Sequence, residues 1–159
     1  MYEKIGEAHT LNGFPAATLI LIRALDSNRH RIAIQAGVTG SELRAMARVA
    51  EAGSLTPKQL AESMEMTTGA VTAISTRLVK AKLMHRVDHP SDRRSLFLEL
   101  TPAANRLMEE IYRKFEESLN IATKNMSEEH LRICAELIVS VGAELGSMQP
   151  SLAKLDPEA

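Results

Sequence analysis

The residues best placed to do chemistry here sit on one face of a helix. Residues 67–80 read TTGAVTAISTRLVK, and at helical pitch Val71, Ile74 and Leu78 fall at i, i+3 and i+7, a narrow apolar stripe. The other side then carries Thr68, Gly69, Thr72, Ala73, Thr76, Arg77 and Lys80, all small, hydroxylic or basic. No carboxylate interrupts them. An ordinary solvated face would carry Glu as freely as Lys, so this one is suited to close approach by a polyanion. A second basic feature follows in DHPSDRR, residues 88–94, where Pro90, Ser91 and Asp92 form a bend and Arg93 and Arg94 leave it.

Charge is distributed to match. Residues 1–65 hold seven Lys/Arg and seven Asp/Glu, residues 66–98 six and two, and residues 99–159 six and eleven, although the whole chain carries a net charge of only −1. A basic middle between acidic flanks is the footprint of a surface that faces nucleic acid.

Other chemistries find less support. There is no Gly-rich phosphate loop, nucleophile elbow or HExxH, and the acid pairs Glu109-Glu110, Glu116-Glu117 and Glu128-Glu129 fall on outward helical positions, so catalysis is not expected. His130 and Cys134 stand four apart on a helix and His85 and His89 flank the bend, but no third ligand is near in sequence; no metal or other cofactor is expected. Cys134 is the single cysteine, which excludes an intrachain disulfide, fits a reducing compartment and belongs to an apolar seam rather than a sensor. The N-terminus lacks an apolar targeting segment, and the longest apolar run, residues 16–22, is far short of the ~20 residues a membrane span needs. A cytoplasmic protein without a membrane partner is expected.

These residues need positioning elements, and the pattern is mainly helical (α+β). With 45% hydrophobic and only 3% aromatic residues, the core must be built from Leu, Ile, Val, Ala and Met, good helix formers apart from the β-branched pair. The first dozen residues read as frayed. A helix then runs from Pro15 to Gly37, with Leu19, Ile20, Leu21, Ile22, Leu25, Ile32 and Ile34 covering more than one side. One face can pack on its own domain; the other calls for a second subunit or a thick single-chain core. A second helix starts after Thr39 or Ser41 and stops at Gly53, with Leu43, Met46, Ala47, Val49 and Ala50 inward. Ser54-Leu55 is long enough only for a β-bridge. Thr56-Pro57 opens a short helix with Leu60, Ala61 and Met64 inward, and Thr67 or Thr68 caps the next. Residues 83–87 and 95–100 read as the two strands of a hairpin. After Thr101-Pro102, a stripe of Leu107 or Met108, Ile111, Phe115, Leu119 and Ala122 marks a long helix. Ser127 caps the last, where Leu131, Cys134, Ile138, Val141, Leu145 and Met148 form a heptad-like seam that asks for a facing helix. Two helices, then a hairpin with a basic rim, make a winged helix-turn-helix.

Residues 60–107 resemble the DNA-binding core of the MarR family of regulators, and the helix order on either side agrees from about Pro15 to Met148. The wing carries the most specific match: Asp92-Arg93-Arg94, then Leu96, Leu98 and Leu100-Thr101-Pro102-Ala103. Val71-Thr72, Arg77-Leu78 and Leu83 add a second. Three positions depart from the family pattern, with Lys82, Glu65 and Ala104 where glycine is usual.

The resemblance implies a fold, a partner and roles. The fold is a winged helix-turn-helix with a small β-hairpin wing, residues 38–101, between dimerisation helices in residues 1–37 and 102–149, with a flexible tail at 150–159. The partner is double-stranded DNA, a palindromic operator bound by a homodimer that acts as a repressor. Thr67, Thr68, Gly69, Thr72, Ala73, Thr76 and Arg77 would face the major groove, Arg93 and Arg94 the minor groove, with Asp92 orienting Arg94. Lys80 and Arg86 would contact phosphates. For Arg77 an internal ion pair holding helix to wing is an equal alternative. Leu19, Ile22, Leu131, Ile138, Val141 and Leu145 would join the subunits. A small aromatic or phenolic effector would bind between the dimerisation helices and the DNA-binding lobe and change the separation of the recognition helices. The hydroperoxide sensors of the family resemble one another in an N-terminal cysteine, absent here. A redox- or metal-responsive regulator and an interaction module without DNA binding are the competing readings.

Overall fold

The structure, a computed structural model, describes residues 2–5, 9–88 and 96–147. In chain order the elements are β1 (Tyr2–Ile5), β2 (His9–Asn12), α1 (Gly13–Ala36), α2 (Gly40–Ala52), α3 (Pro57–Met64), α4 (Thr68–Lys80), β3 (Met84–Asp88), β4 (Leu96–Leu100), α5 (Pro102–Thr123) and α6 (Glu128–Ser147). The chain forms two compact units, Met1–Tyr112 and Arg113–Ala159, whose boundary falls within α5.

In the first unit the inward residues of α2, α3, α4 and the hairpin make one core. Met46, Leu60, Val71, Leu78, Met84 and Leu98 lie at its centre with essentially no solvent exposure, and Ala33, Ala104 and Met108 close its edges. Each of the larger side chains contributes about 1.5–3 kcal/mol by leaving water. β3 and β4 pair antiparallel from Met84↔Leu100 to Asp88↔Leu96. Leu55 adds a one-residue third strand: its N–H reaches Leu98 O at 3.2 Å and its carbonyl accepts from Leu98 N–H at 2.8 Å. The hairpin is thereby tied to the loop before α3.

Three helices stop in the same way. Gly37, Glu65 and Lys82 take left-handed φ of 68°, 54° and 57°. In each case the next residue's N–H reaches back five positions: Val38 to Ala33 O at 3.0 Å, Met66 to Ala61 O at 3.0 Å, Leu83 to Leu78 O at 2.9 Å. Gly37 adopts this geometry freely. Glu65 and Lys82 stand where the family pattern has glycine, and each bears a left-handed penalty of about 1 kcal/mol. Ala104, the third departure, is fully buried in the first turn of α5.

One expectation is corrected. The N-terminal residues are not frayed throughout: β1 and β2 pair antiparallel in the register Glu3↔Leu11 and Lys4↔Thr10, and both strands rest on α1. Tyr, Ile and Thr favour strands, and the neighbouring helix supports a ribbon too small to stand alone. For α1, one side was expected to pack on its own domain and the other to call for a second subunit or a thick single-chain core. Only Ala16 and Ala33 are buried, while Ile20, Leu21, Ile22 and Leu25 are exposed within the single chain.

The second unit is unlike the first. Its last helix, α6, buries no residue at all. Ile138 and Leu145 are 63% and 54% exposed, and Cys134, expected within an apolar seam, is exposed as well. The polar side is internally paired, with Arg132 reaching Glu129 at 2.7 Å and Glu136 at 2.6 Å. Ser127 caps the helix as expected, its Oγ accepting from His130 N–H at 3.3 Å.

Candidate nucleic-acid interface

Thr67 starts α4: its Oγ1 accepts the Ala70 N–H at 3.2 Å, satisfying one of the first-turn donors. Val71, Ile74 and Leu78 then turn into the core, joined by Ser75, whose hydroxyl donates to Thr72 O at 3.1 Å. This rotation leaves Thr68, Gly69, Thr72, Ala73, Thr76, Arg77 and Lys80 on the outside, every one of them exposed. The first turn has no acidic residue, so the positive end of the helix dipole is not neutralised from within α4. Thr72 donates its hydroxyl proton to Thr68 O at 2.8 Å, which leaves its oxygen outward as an acceptor.

Two arginines tie this helix to its surroundings. Arg86, on β3, donates from Nη2 to Thr76 Oγ1 at 3.2 Å, so the hairpin grips α4 midway. Arg77 forms an ion pair with α2: its Nε lies 2.6 Å from Glu42 Oε1. Glu42 is buried and serves two ends. Its Oε2 accepts the Thr39 N–H at 2.8 Å while Thr39 Oγ1 accepts the Glu42 N–H at 3.2 Å, a reciprocal cap on α2. Burial raises the Glu42 pKa, but the Thr39 N–H, the Arg77 guanidinium and the Thr39 hydroxyl outweigh it and hold the carboxyl below its ordinary value of 4.5. Lys80 is exposed, and on the hairpin His85 faces Glu99 with Nε2 3.4 Å from Oε2.

The wing residues Asp92, Arg93 and Arg94 lie outside the described residues, as does His89. Among the described residues no three His, Cys, Asp or Glu side chains come together as a metal site, and no helix is long and apolar enough to cross a membrane.

Behind the helix-turn-helix lies a cleft of about 280 Å³. Its walls are Leu25 and Ile32 of α1, Leu43 and Ala47 of α2, and Met108 and Ile111 of α5. Arg29, Arg44, Arg48 and Glu51 line it as well. Tyr112 stands nearby with its hydroxyl 3.5 Å from Glu51, and burial followed by that carboxylate raises its pKa above the ordinary 10.0.

The MarR family model matches residues 38–96, the span from the loop before α2 to the start of β4. A Bacillus subtilis helix-turn-helix transcriptional regulator, YcgE, is 32% identical over 128 residues, 79% of this chain and 80% of its own length. This chain belongs to the MarR family. It is therefore a helix-turn-helix transcriptional regulator by descent. Among solved structures, NadR in complex with 4-hydroxyphenylacetate is 26% identical and superposes with a TM-score of 0.64, covering 92% of this chain and all of that one (100%). Streptococcus pneumoniae FabT in complex with DNA has the same fold, at 21% identity and a TM-score of 0.67 over 84% of this chain and 94% of that one.

Set against the sequence, α4 carries its inward stripe and outward face as its periodicity requires, and Thr67 rather than Thr68 is its cap. Glu42 escaped notice although Thr39 and Glu42 spell a capping box, and that signal was available. No pattern in the sequence pointed to the cleft, because its walls come from three helices distant in sequence.

Proposed function

We propose that this family member is a homodimeric repressor that binds a palindromic operator. The observation that carries the reading is the carboxylate-free, fully outward face of α4. Thr67, Thr68, Gly69, Thr72, Ala73, Thr76 and Arg77 would enter the major groove. Thr72, an acceptor in its present rotamer, would meet an adenine or cytosine amino group, and Ala73 a thymine methyl. Lys80 and Arg86 would neutralise phosphates while Arg93 and Arg94, with Asp92 beside them, would take the minor groove. Leu19, Ile22, Leu131, Ile138, Val141 and Leu145 would form the dimer contact, which would hold two readers about one helical turn of DNA apart. The exposed apolar side chains of α1 and α6 favour this.

A small aromatic effector would bind in the cleft behind α2. The relation to NadR, solved with an aromatic acid, and the pairing of apolar walls with arginines support that reading. FabT, solved on DNA, supports the docking mode.

Selection of bound fragments from random DNA, followed by anisotropy titration at two salt concentrations, tests the whole. A two-fold site with a steep salt slope is expected, and equal affinity for selected and random DNA would refute operator recognition. Arg94→Ala should weaken binding and reduce the log–log salt slope by about one unit. An unchanged slope removes the wing arginine from the interface.

A further inference from the structure

Arg77 is anchored at one end and open at the other. Its Nε lies 2.6 Å from Glu42 Oε1, yet its side chain is 55% exposed where that of Glu42 is only 9% exposed. Both carboxylate oxygens are engaged, Oε1 by Arg77 and Oε2 by the Thr39 N–H at 2.8 Å. Glu42 therefore grips the guanidinium through Nε alone. Among the described residues nothing occupies the terminal Nη groups, the fork that pairs with two oxygens at once. The preceding residue, Thr76, is held by Arg86 of β3 at 3.2 Å, so α4 is tied to two different elements at consecutive positions. Its rotation about its own axis is fixed beneath the fork.

Position along the helix decides what the fork would meet. The first residues of a reading helix approach base edges, whereas Arg77 lies in the last turn of α4, where phosphates line the groove wall. A phosphate offers the paired oxygens that a guanidinium fork matches.

We propose that Glu42 is a positioning residue for DNA binding: by holding Arg77 at Nε, it presents the guanidinium fork, already ordered, to one phosphate at the edge of the major groove. The proposal rests on the DNA-binding reading above and adds to it a residue of α2, outside the two helices of the reader. Positioning and simple electrostatics predict opposite signs. A carboxylate behind a surface that binds a polyanion repels it, so by charge alone Glu42→Gln should tighten binding. An arginine released from its anchor must instead be ordered on the DNA, and ordering one such side chain costs roughly threefold to tenfold in affinity.

Anisotropy titrations of the full chain on selected operator and on random DNA, each at two salt concentrations, read both quantities. Glu42→Gln should bind either DNA about threefold to tenfold more weakly while keeping the wild-type salt slope, because the arginine still reaches its phosphate. Arg77→Ala should lower the slope by about one unit per subunit bound, and in that background Glu42→Gln should weaken binding no further. Arg77→Lys leaves Glu42 and the α2 cap in place and keeps the charge, but a point charge has no fork; it should lose affinity as Glu42→Gln does. It supplies the test if Glu42→Gln fails to fold. Unchanged or tighter binding by a folded Glu42→Gln chain overturns the proposal, as does wild-type affinity in Arg77→Lys. An equal loss from Glu42→Gln in the Arg77→Ala background overturns it too, since Glu42 would then act through the α2 cap. Should the wild-type chain bind both DNAs equally, operator recognition fails, and the Glu42→Gln comparison on random DNA still decides this proposal. No binding to either DNA overturns both.

Discussion

The core around α2, α3 and α4 and the helix α6 are built from similar residues and treat them oppositely. Leu60, Val71 and Leu78 are fully removed from water, whereas Ile138 and Leu145, of the same chemical kind, are more than half exposed. Both stretches carry apolar residues at helical spacing, and among the described residues only the first is buried. Periodicity alone therefore states that a face needs covering without stating what covers it. For the first unit the answer is internal. For α6 it is, on the reading proposed above, a second copy.

Several changes would break or sharpen that contrast. The largest effect is expected from Leu60→Ala, which should cost about 2–5 kcal/mol in denaturant unfolding by leaving a cavity in a core with no slack. Ile138→Ala, exposed in one chain, should cost little at low protein concentration and progressively more as concentration rises and dimers dominate. If its cost is large and independent of concentration, α6 is covered internally and the contrast falls. Sedimentation of an Ile138→Glu, Leu145→Glu chain should give monomers that retain helicity; a stable dimer would move the interface elsewhere.

Smaller effects separate the two jobs of Glu42. Glu42→Gln keeps an acceptor for the α2 cap and loses the charge facing Arg77, at about 1 kcal/mol; Glu42→Ala loses both, at about 2 kcal/mol. Because the folded carboxyl sits below 4.5, its contribution is complete above that pH and is lost as pH falls through the folded value. Thermal melts between pH 6 and about pH 3 should therefore show a steeper loss in wild type than in Glu42→Gln; parallel curves would deny the carboxyl any role in acid stability. At the small end, Lys82→Gly should raise stability by about 0.5–1 kcal/mol by relieving a left-handed residue, partly offset by a freer unfolded chain. A loss would mean that the lysine side chain is held by something worth more than the strain.

Much of the fold could be read from spacing because its elements are closed by local chemistry. Thr56-Pro57 opens α3, Gly37 stops α1, and Leu96, Leu98 and Leu100 alternate along β4, all within a few residues of one another. The glycine-less stops at Glu65 and Lys82 were also anticipated, since the family pattern marks those turns. Long-range side-chain pairs were not legible. Arg77 and Glu42 are 35 residues apart and Arg44 and Met64 are 20 apart, and no periodicity connects them. The N-terminal ribbon was missed because its strands are four residues each, too short for alternation to stand out.

Glu42 also bears on how far the reading helix can travel as a part. Exchanging residues 67–80 for those of a relative, or grafting them elsewhere, is a natural way to redirect operator choice. Arg77 would then arrive without the carboxylate that fixes its Nε, unless the host offers an acid at the third position of its own second helix. The portable unit is the helix together with one residue that lies outside it.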